Sequence, residues 1–223
     1  MSYTDWAKAN KKRIAREFIR QINYTTSSAP SGIFTAGLPG VGKTEFTVEL
    51  IKGIEPKPLR IDMDEIARMI EGYKPKIADK FRGGASIIIS RIYDEVIKHN
   101  INFIFDGTFS SDGAMENLRR ALHHNYKVKV YYIHQVPAIA WQFTKDRELV
   151  EHRSIEISGF KESYFKLMNN LKYLCENYND VTISLVIKNE RNEVGELIED
   201  VNEKIFELLP AFLTEEQLNA AII

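Results

Sequence analysis

Hydrophobic positions along this chain alternate between two patterns, short continuous apolar runs and longer stretches with a helical repeat. From Trp6 to Ile22, residues Ile14, Ala15, Phe18, Ile19 and Ile22 share one helical face, while Lys8, Lys11, Lys12, Arg13, Arg16 and Arg20 crowd the others. That division predicts a leading helix packed on the body by its apolar side. Small polar residues from Thr25 to Ser31 read as a loop, and Ile33 to Ala36 as a buried strand. Helical repeats follow at about Lys43 to Gly53, Asp64 to Glu71, Ala85 to Asn100, Asp112 to His123, Pro137 to Val150 and Lys161 to Asn177. Between them lie strand-like runs at Leu59 to Asp62, Ile101 to Phe105, Val128 to Ile133 and Val181 to Ile187. Five strands separated by helices predict a three-layer α/β fold with a mainly parallel sheet, because each parallel crossover needs a covering helix. Lys188 to Gly195 is turn-rich and leads into a predicted helix from Glu196 to Leu209, after which Thr214 can N-cap a last turn or two. With no repeat and no low-complexity segment, residues 1–223 read as one domain, with 1–24 a leading helix and 196–223 a helical extension.

Composition narrows this picture. The chain has 223 residues, 44% apolar and 27% charged, enough for one sizeable core, which excludes a disulfide miniprotein and a disordered tail. Thirty Lys and Arg against 31 Asp and Glu leave a net charge of -1, so no global positive field draws it to nucleic acid or to an anionic membrane. Cys175 is the sole cysteine and cannot form an internal disulfide or a thiolate metal cage. The apolar runs fall short of the roughly 20 residues that span a bilayer, and the first residues lack a signal-peptide core. A reducing, cytoplasmic setting is expected.

The strongest chemical signal is Gly37-Leu38-Pro39-Gly40-Val41-Gly42-Lys43-Thr44, a full match to the G-x-x-x-x-G-K-[ST] phosphate loop, set between a predicted strand and a predicted helix. Its glycines let successive N–H groups surround phosphate oxygens, Lys43 adds a point charge, Thr44 can ligate Mg²⁺, and the helix directs its positive end at the same anion. The domain is therefore expected to be a P-loop NTPase fold that binds ATP or GTP with Mg²⁺.

Residues at the carboxyl ends of the neighbouring strands decide which reaction the bound nucleotide serves. Asp62 and Asp64 close the second strand. Asp64 can take the proton of an attacking hydroxyl, and Asp62 can support the metal through water, although Asp62 with Glu65 also has capping-box spacing and Asp64 can be an N-cap. Asp106 and Thr108 end the third strand, placed either toward Mg²⁺ and substrate hydroxyls or in a plain Asp-Gly turn. Beyond the fourth strand Arg147 and Arg153 can hold phosphoryl charge, or form a solvated helix face beside Glu148 and Glu151. No Asn-Lys-x-Asp guanine-reading motif occurs, and no motor or transporter insert fits, which leaves a small-molecule kinase; a nucleotide-dependent regulatory ATPase and a kinase of nucleic-acid ends are the alternatives. Lys80 and Arg82 read as a surface turn, His123 and His124 as surface imidazoles, and Cys175, Trp141, Phe143 and Met168 as packing.

In order, Gly37–Thr44, Ile61-Asp-Met-Asp64, Phe105-Asp-Gly-Thr108 and the Arg147 and Arg153 pair resemble the zeta-toxin family of P-loop kinases, from about Gly32 to Glu196. The resemblance implies phosphorylation of the 3′-hydroxyl of the sugar in UDP-N-acetylglucosamine, with ATP or GTP and Mg²⁺, and an antitoxin partner. It implies Lys43 on the transferred phosphoryl group, Asp64 as general base, Asp106 and Thr108 on the acceptor, and Arg147 and Arg153 as a phosphate clamp. The chain carries Asp106 where the family often has Glu, and Ser90 stands where some relatives carry another acceptor-binding Glu, departures that leave another nucleotide sugar, a nucleoside or an NAD-like molecule open as the acceptor.

Overall fold

The computed structural model describes residues 2–20, 26–151 and 155–222. Helix α1 (Tyr3–Arg20) leads into β1 (Ser31–Ala36), α2 (Lys43–Lys52), β2 (Leu59–Asp62), α3 (Met63–Arg68) and α4 (Arg82–Lys98). Strand β3 (Phe103–Asp106), α5 (Asp112–His123), β4 (Lys127–His134), α6 (Pro137–Glu151) and α7 (Ile157–Asn177) follow. The chain then forms β5 (Val181–Lys188), β6 (Val194–Ile198), α8 (Ile205–Leu208) and α9 (Glu215–Ile222).

The strand order is β2-β3-β1-β4-β5-β6, parallel except for the last pair. This is the expected mainly parallel α/β sheet with one more strand than the five that hydrophobic runs reveal. Val194–Ile198, which the sequence pattern divides between a turn and a helix from Glu196 to Leu209, instead pairs antiparallel with β5 along the sheet edge. Its burial pattern is almost wholly exposed, so its order comes from backbone bonds to β5 and not from an inward apolar face. The helix expected there is reduced to a short 3₁₀ turn, Asn202–Lys204, and to α8. The final helix does form as expected: Thr214 Oγ1 accepts from Gln217 N at 3.2 Å, and Gln217 Oε1 accepts from Thr214 N at 2.8 Å, a reciprocal cap.

The core lies on both sides of the sheet. Phe34 of β1 packs against Phe103, Phe105 and Phe109 with ring centroids 5.5–6.1 Å apart. Helix α1 lays buried Ala7, Ile14, Ala15 and Phe18 along α4, leaving its Lys and Arg residues largely in solvent. Cys175 is buried on α7, and His123 and His124 are exposed at the end of α5. Among the described residues no helix is long and apolar enough to cross a membrane. The carboxyl ends of β1, β2 and β3 come together at one edge of the molecule, and the site is built there.

Candidate active site at the carboxyl edge

Strand β1 occupies the middle of the sheet, between β3 and β4, so the loop after Ala36 emerges at its centre and turns into α2. Two backbone positions shape it. Gly42, the N-cap of α2, has φ 75° and ψ 36°, and Gly40 has φ 84°, both left-handed. A Cβ on Gly40 would lie 2.2 Å from the Ala140 carbonyl oxygen, so α6 leaves room for glycine alone. Gly37 N donates to the Thr108 carbonyl at 3.2 Å, which ties the loop to the end of β3. Leu38 and Val41 are buried, whereas Thr44 is exposed in the first turn of α2.

Lys43 folds back so that Nζ donates to the Leu38 carbonyl at 2.7 Å. Burial pushes its pKa down to about 8; Asp106 opposes that most strongly, Arg147 adds to it, and Glu45 and Asp64 oppose it. An ammonium whose charge is disfavoured by its surroundings is one whose charged form an incoming anion favours.

The acids are assembled by strand register. Asp62 and Asp106 are directly paired across β2 and β3, which puts two buried carboxylates side by side. Arg60 makes that arrangement tolerable. Its Nη2 donates to Asp62 Oδ2 at 2.6 Å and to Asp106 Oδ2 at 2.9 Å, and its Nε donates to Asp106 Oδ2 at 3.1 Å. The other oxygen of Asp62 accepts from Asp64 N and Glu65 N at 2.7 and 2.9 Å, so Asp62 caps α3 and both its oxygens are engaged. Burial raises the Asp62 pKa, against the pull of the Glu65 N–H and of Arg60. Beside Asp106, the Thr35 hydroxyl accepts from Gly107 N at 2.9 Å and lies 3.1 Å from Gly107 O, fixing the Asp-Gly turn that delivers the acid.

Asp64 is half-buried in the first turn of α3, within the electrostatic reach of Lys43. Thr108 is half-buried, its hydroxyl 2.6 Å from Ser110 Oγ. Arg147 is exposed on α6 and contributes to the field at Lys43; Arg153 lies outside the described residues. Ser90 is exposed midway along α4, a helix whose buried side packs on α1 and α3. The structure thus brings Lys43, Asp62, Asp64, Asp106 and Thr108 to one edge. It adds three residues that sequence reasoning missed. Arg60 had one signal, a lone cation in an apolar strand two places before an acid. Lys188 and Asn192 had none, because Lys188 closes β5 and Asn192 stands in the turn after it, and only the folded sheet brings them to the loop: Lys188 Nζ is 3.3 Å and Asn192 Nδ2 3.5 Å from where a Gly42 Cβ would stand.

A family model described as Zeta toxin matches residues 15–198. Among solved structures, one reported for the PezAT chromosomal toxin–antitoxin system of Streptococcus pneumoniae superimposes with a TM-score of 0.72 at 14% identity, covering 96% of this chain and 93% of that one. The AvrRxo1-ORF1:ORF2 complex gives 0.61 at 12% identity, covering 99% and 77%. The same complex with ATP gives 0.59 at 13% identity, covering 99% and 78%. At these identities the likeness is one of fold. No curated protein sequence matches the chain closely enough to count as a relative.

Proposed function

This chain belongs to the zeta toxin family, and from that premise we propose that it is a toxin kinase that moves the γ-phosphoryl group of ATP onto a sugar hydroxyl of a nucleotide sugar of the UDP-N-acetylglucosamine type. One observation carries the reading: a glycine-shaped anion loop, its lysine and the two acids Asp64 and Asp106 stand together at the carboxyl edge of β1, β2 and β3. That is a donor-phosphate cradle with a carboxylate in reach, the minimum that phosphoryl transfer requires.

The loop N–H groups and Lys43 hold the β and γ phosphates. The hydroxyl of Thr44 and the carboxylate of Asp106 are hard oxygen donors beside the same loop and suit Mg²⁺, which when bound offsets charge on the phosphates. Asp62 accepts on both oxygens, one in the α3 cap and the other from Arg60, so its part toward the metal would run through a bound water. Asp64 accepts the proton as the acceptor oxygen bonds to the γ phosphorus and the bond to the bridging oxygen of ADP breaks. Thr108 offers a hydroxyl to the acceptor, and Arg147, with Arg153, binds phosphate oxygens. Ser90 as an acceptor contact rests on the family resemblance alone. An antitoxin partner fits the same reading, since the PezAT match comes from a toxin–antitoxin system.

A phosphoryl-transfer assay over UDP-N-acetylglucosamine, nucleosides and dinucleotides tests this. The wild type is expected to turn over one acceptor class, and Asp64→Asn to slow it 10²–10⁴-fold, equivalent to roughly 3–5 kcal/mol of barrier. ATP consumption that ignores every acceptor would make the chain a regulatory ATPase instead.

A further inference from the structure

The turn between β5 and β6 reaches the phosphate loop through one side chain, and we propose that Asn192 is a positioning residue for the donor nucleotide. It holds the Gly40–Val41 peptide with its carbonyl turned away from the triphosphate. The proposal rests on the ATP-binding reading of the loop and adds to it a residue far along the chain.

Asn192 Nδ2 donates to the Gly40 carbonyl oxygen at 2.9 Å. In a trans peptide the C=O and the following N–H point in opposite directions. Drawing the Gly40 oxygen outward therefore aims the Val41 N–H inward, where it meets the Leu38 oxygen at a long 3.4 Å and is readily given up to a phosphate. Gly40 is left-handed at φ 84° and carries no Cβ, so its local backbone offers little resistance to a flip of this peptide. A flip would put a carbonyl oxygen against the anion. Two other loop carbonyls have holders of their own: Lys43 Nζ on Leu38 O, and Phe46 N on Gly42 O at 3.1 Å. Lys43 is the group expected to move to the phosphate, whereas Asn192 has no such task and stays. The opposite orientation of its amide would set oxygen against oxygen, so chemistry selects the donor.

Asn192 is itself held firmly. It sits at φ 62°, a conformation that Asn tolerates better than most residues, and its own N–H donates to Asn189 O at 2.9 Å. Asn189 Oδ1 accepts from Arg191 N and Glu193 N, both at 2.9 Å, and Gln135 Nε2, from the end of β4, donates to Asn189 O at 2.7 Å. Gln135 is only 3% exposed. The remaining polar atom of Asn192, Oδ1, is buried without a hydrogen-bond partner among the described residues, so the side-chain bond in view is the one to the loop.

Two variants of the full chain separate this role from simple support of the turn. Asn192→Gly keeps the left-handed backbone and removes the donor; Asn192→Asp keeps size and backbone but opposes two oxygens. ATP titration by calorimetry, steady-state kinetics and thermal unfolding are read together. The expected result is a roughly three- to tenfold rise in Kd and KM for ATP in the Gly variant, a larger rise in the Asp variant, and an unchanged acceptor KM. ATP affinity of the Asp variant within twofold of wild type overturns the proposal, whether or not the melting temperature falls. Folded wild type that binds no ATP removes the functional reading and this proposal together; wild type that binds, with variants that bind equally, removes this proposal alone.

Discussion

The phosphate loop is braced from two sides by different chemistry. On the β2–β3 side the bracing is ionic: Arg60 bridges Asp62 and Asp106, with Lys43 coupled to Asp106 across the loop. On the β5–β6 side it is made mainly of neutral amides, Gln135, Asn189 and Asn192, linked by hydrogen bonds of 2.7–2.9 Å. The ionic side carries groups whose charge responds to a ligand, so it can do chemistry but is costly to leave unbalanced. The amides of the other side keep their charge state at every pH and cost little to disturb, so they serve geometry.

Breaking the ionic side should have the largest effect. Arg60→Met leaves two paired carboxylates buried without their cation and is expected to lower stability by about 3 kcal/mol, read from denaturant unfolding. An unchanged unfolding midpoint would mean that solvent already screens the acid pair. Lys43→Met should act in the opposite direction on stability. Lys43 has a folded pKa of about 8 against 10.5 in the unfolded chain, so below pH 8 the folded state bears the expense of a buried ammonium. At pH 7 the variant should be more stable by about 2 kcal/mol, after discounting for screening, while losing ATP binding. Between pH 8 and 10.5 the unfolded state holds more protons, wild-type stability rises, and the gap between the two proteins should close.

His134, at the end of β4 beside the amide side, sharpens the contrast from another direction. Burial pushes its pKa down to about 4, from 6.5. Between those values the unfolded chain binds the extra proton, so the stability present above pH 6.5 should drain away as pH falls toward 4. His134→Gln should flatten that acid limb by about 1–2 kcal/mol in melts taken at pH 5 and pH 7. The smallest effect is expected from Asn189→Ala, which removes an exposed side chain that accepts two turn N–H groups. About 1 kcal/mol of stability should go, with a looser β5–β6 turn detected as faster amide exchange at Arg191 and Glu193.

How far these two sides could be foreseen differs for the same physical reason. Asp62, Asp64 and Asp106 lie at the ends of apolar runs, so strand alternation alone places them at one edge, and α5 spans Asp112–His123 as its helical repeat predicts. Strand β6 is exposed along most of its length and carries no inward apolar face by which periodicity could find it. Without β6 there was no reason to bring Asn192 next to Gly40, 152 positions away. Arg60 was visible as a residue, but its role depends on register: only the pairing of Asp62 with Asp106 puts two acids within one guanidinium's reach.

The order of strands and helices, the anion loop and the acids that follow it were written in local patterns, because short-range steric and solvation preferences act on neighbours in the chain. Which groups neutralise one another, which amide steadies the loop and how Lys43 loses part of its affinity for a proton arose only on folding. Charge compensation and desolvation depend on distances between residues that the linear order does not contain.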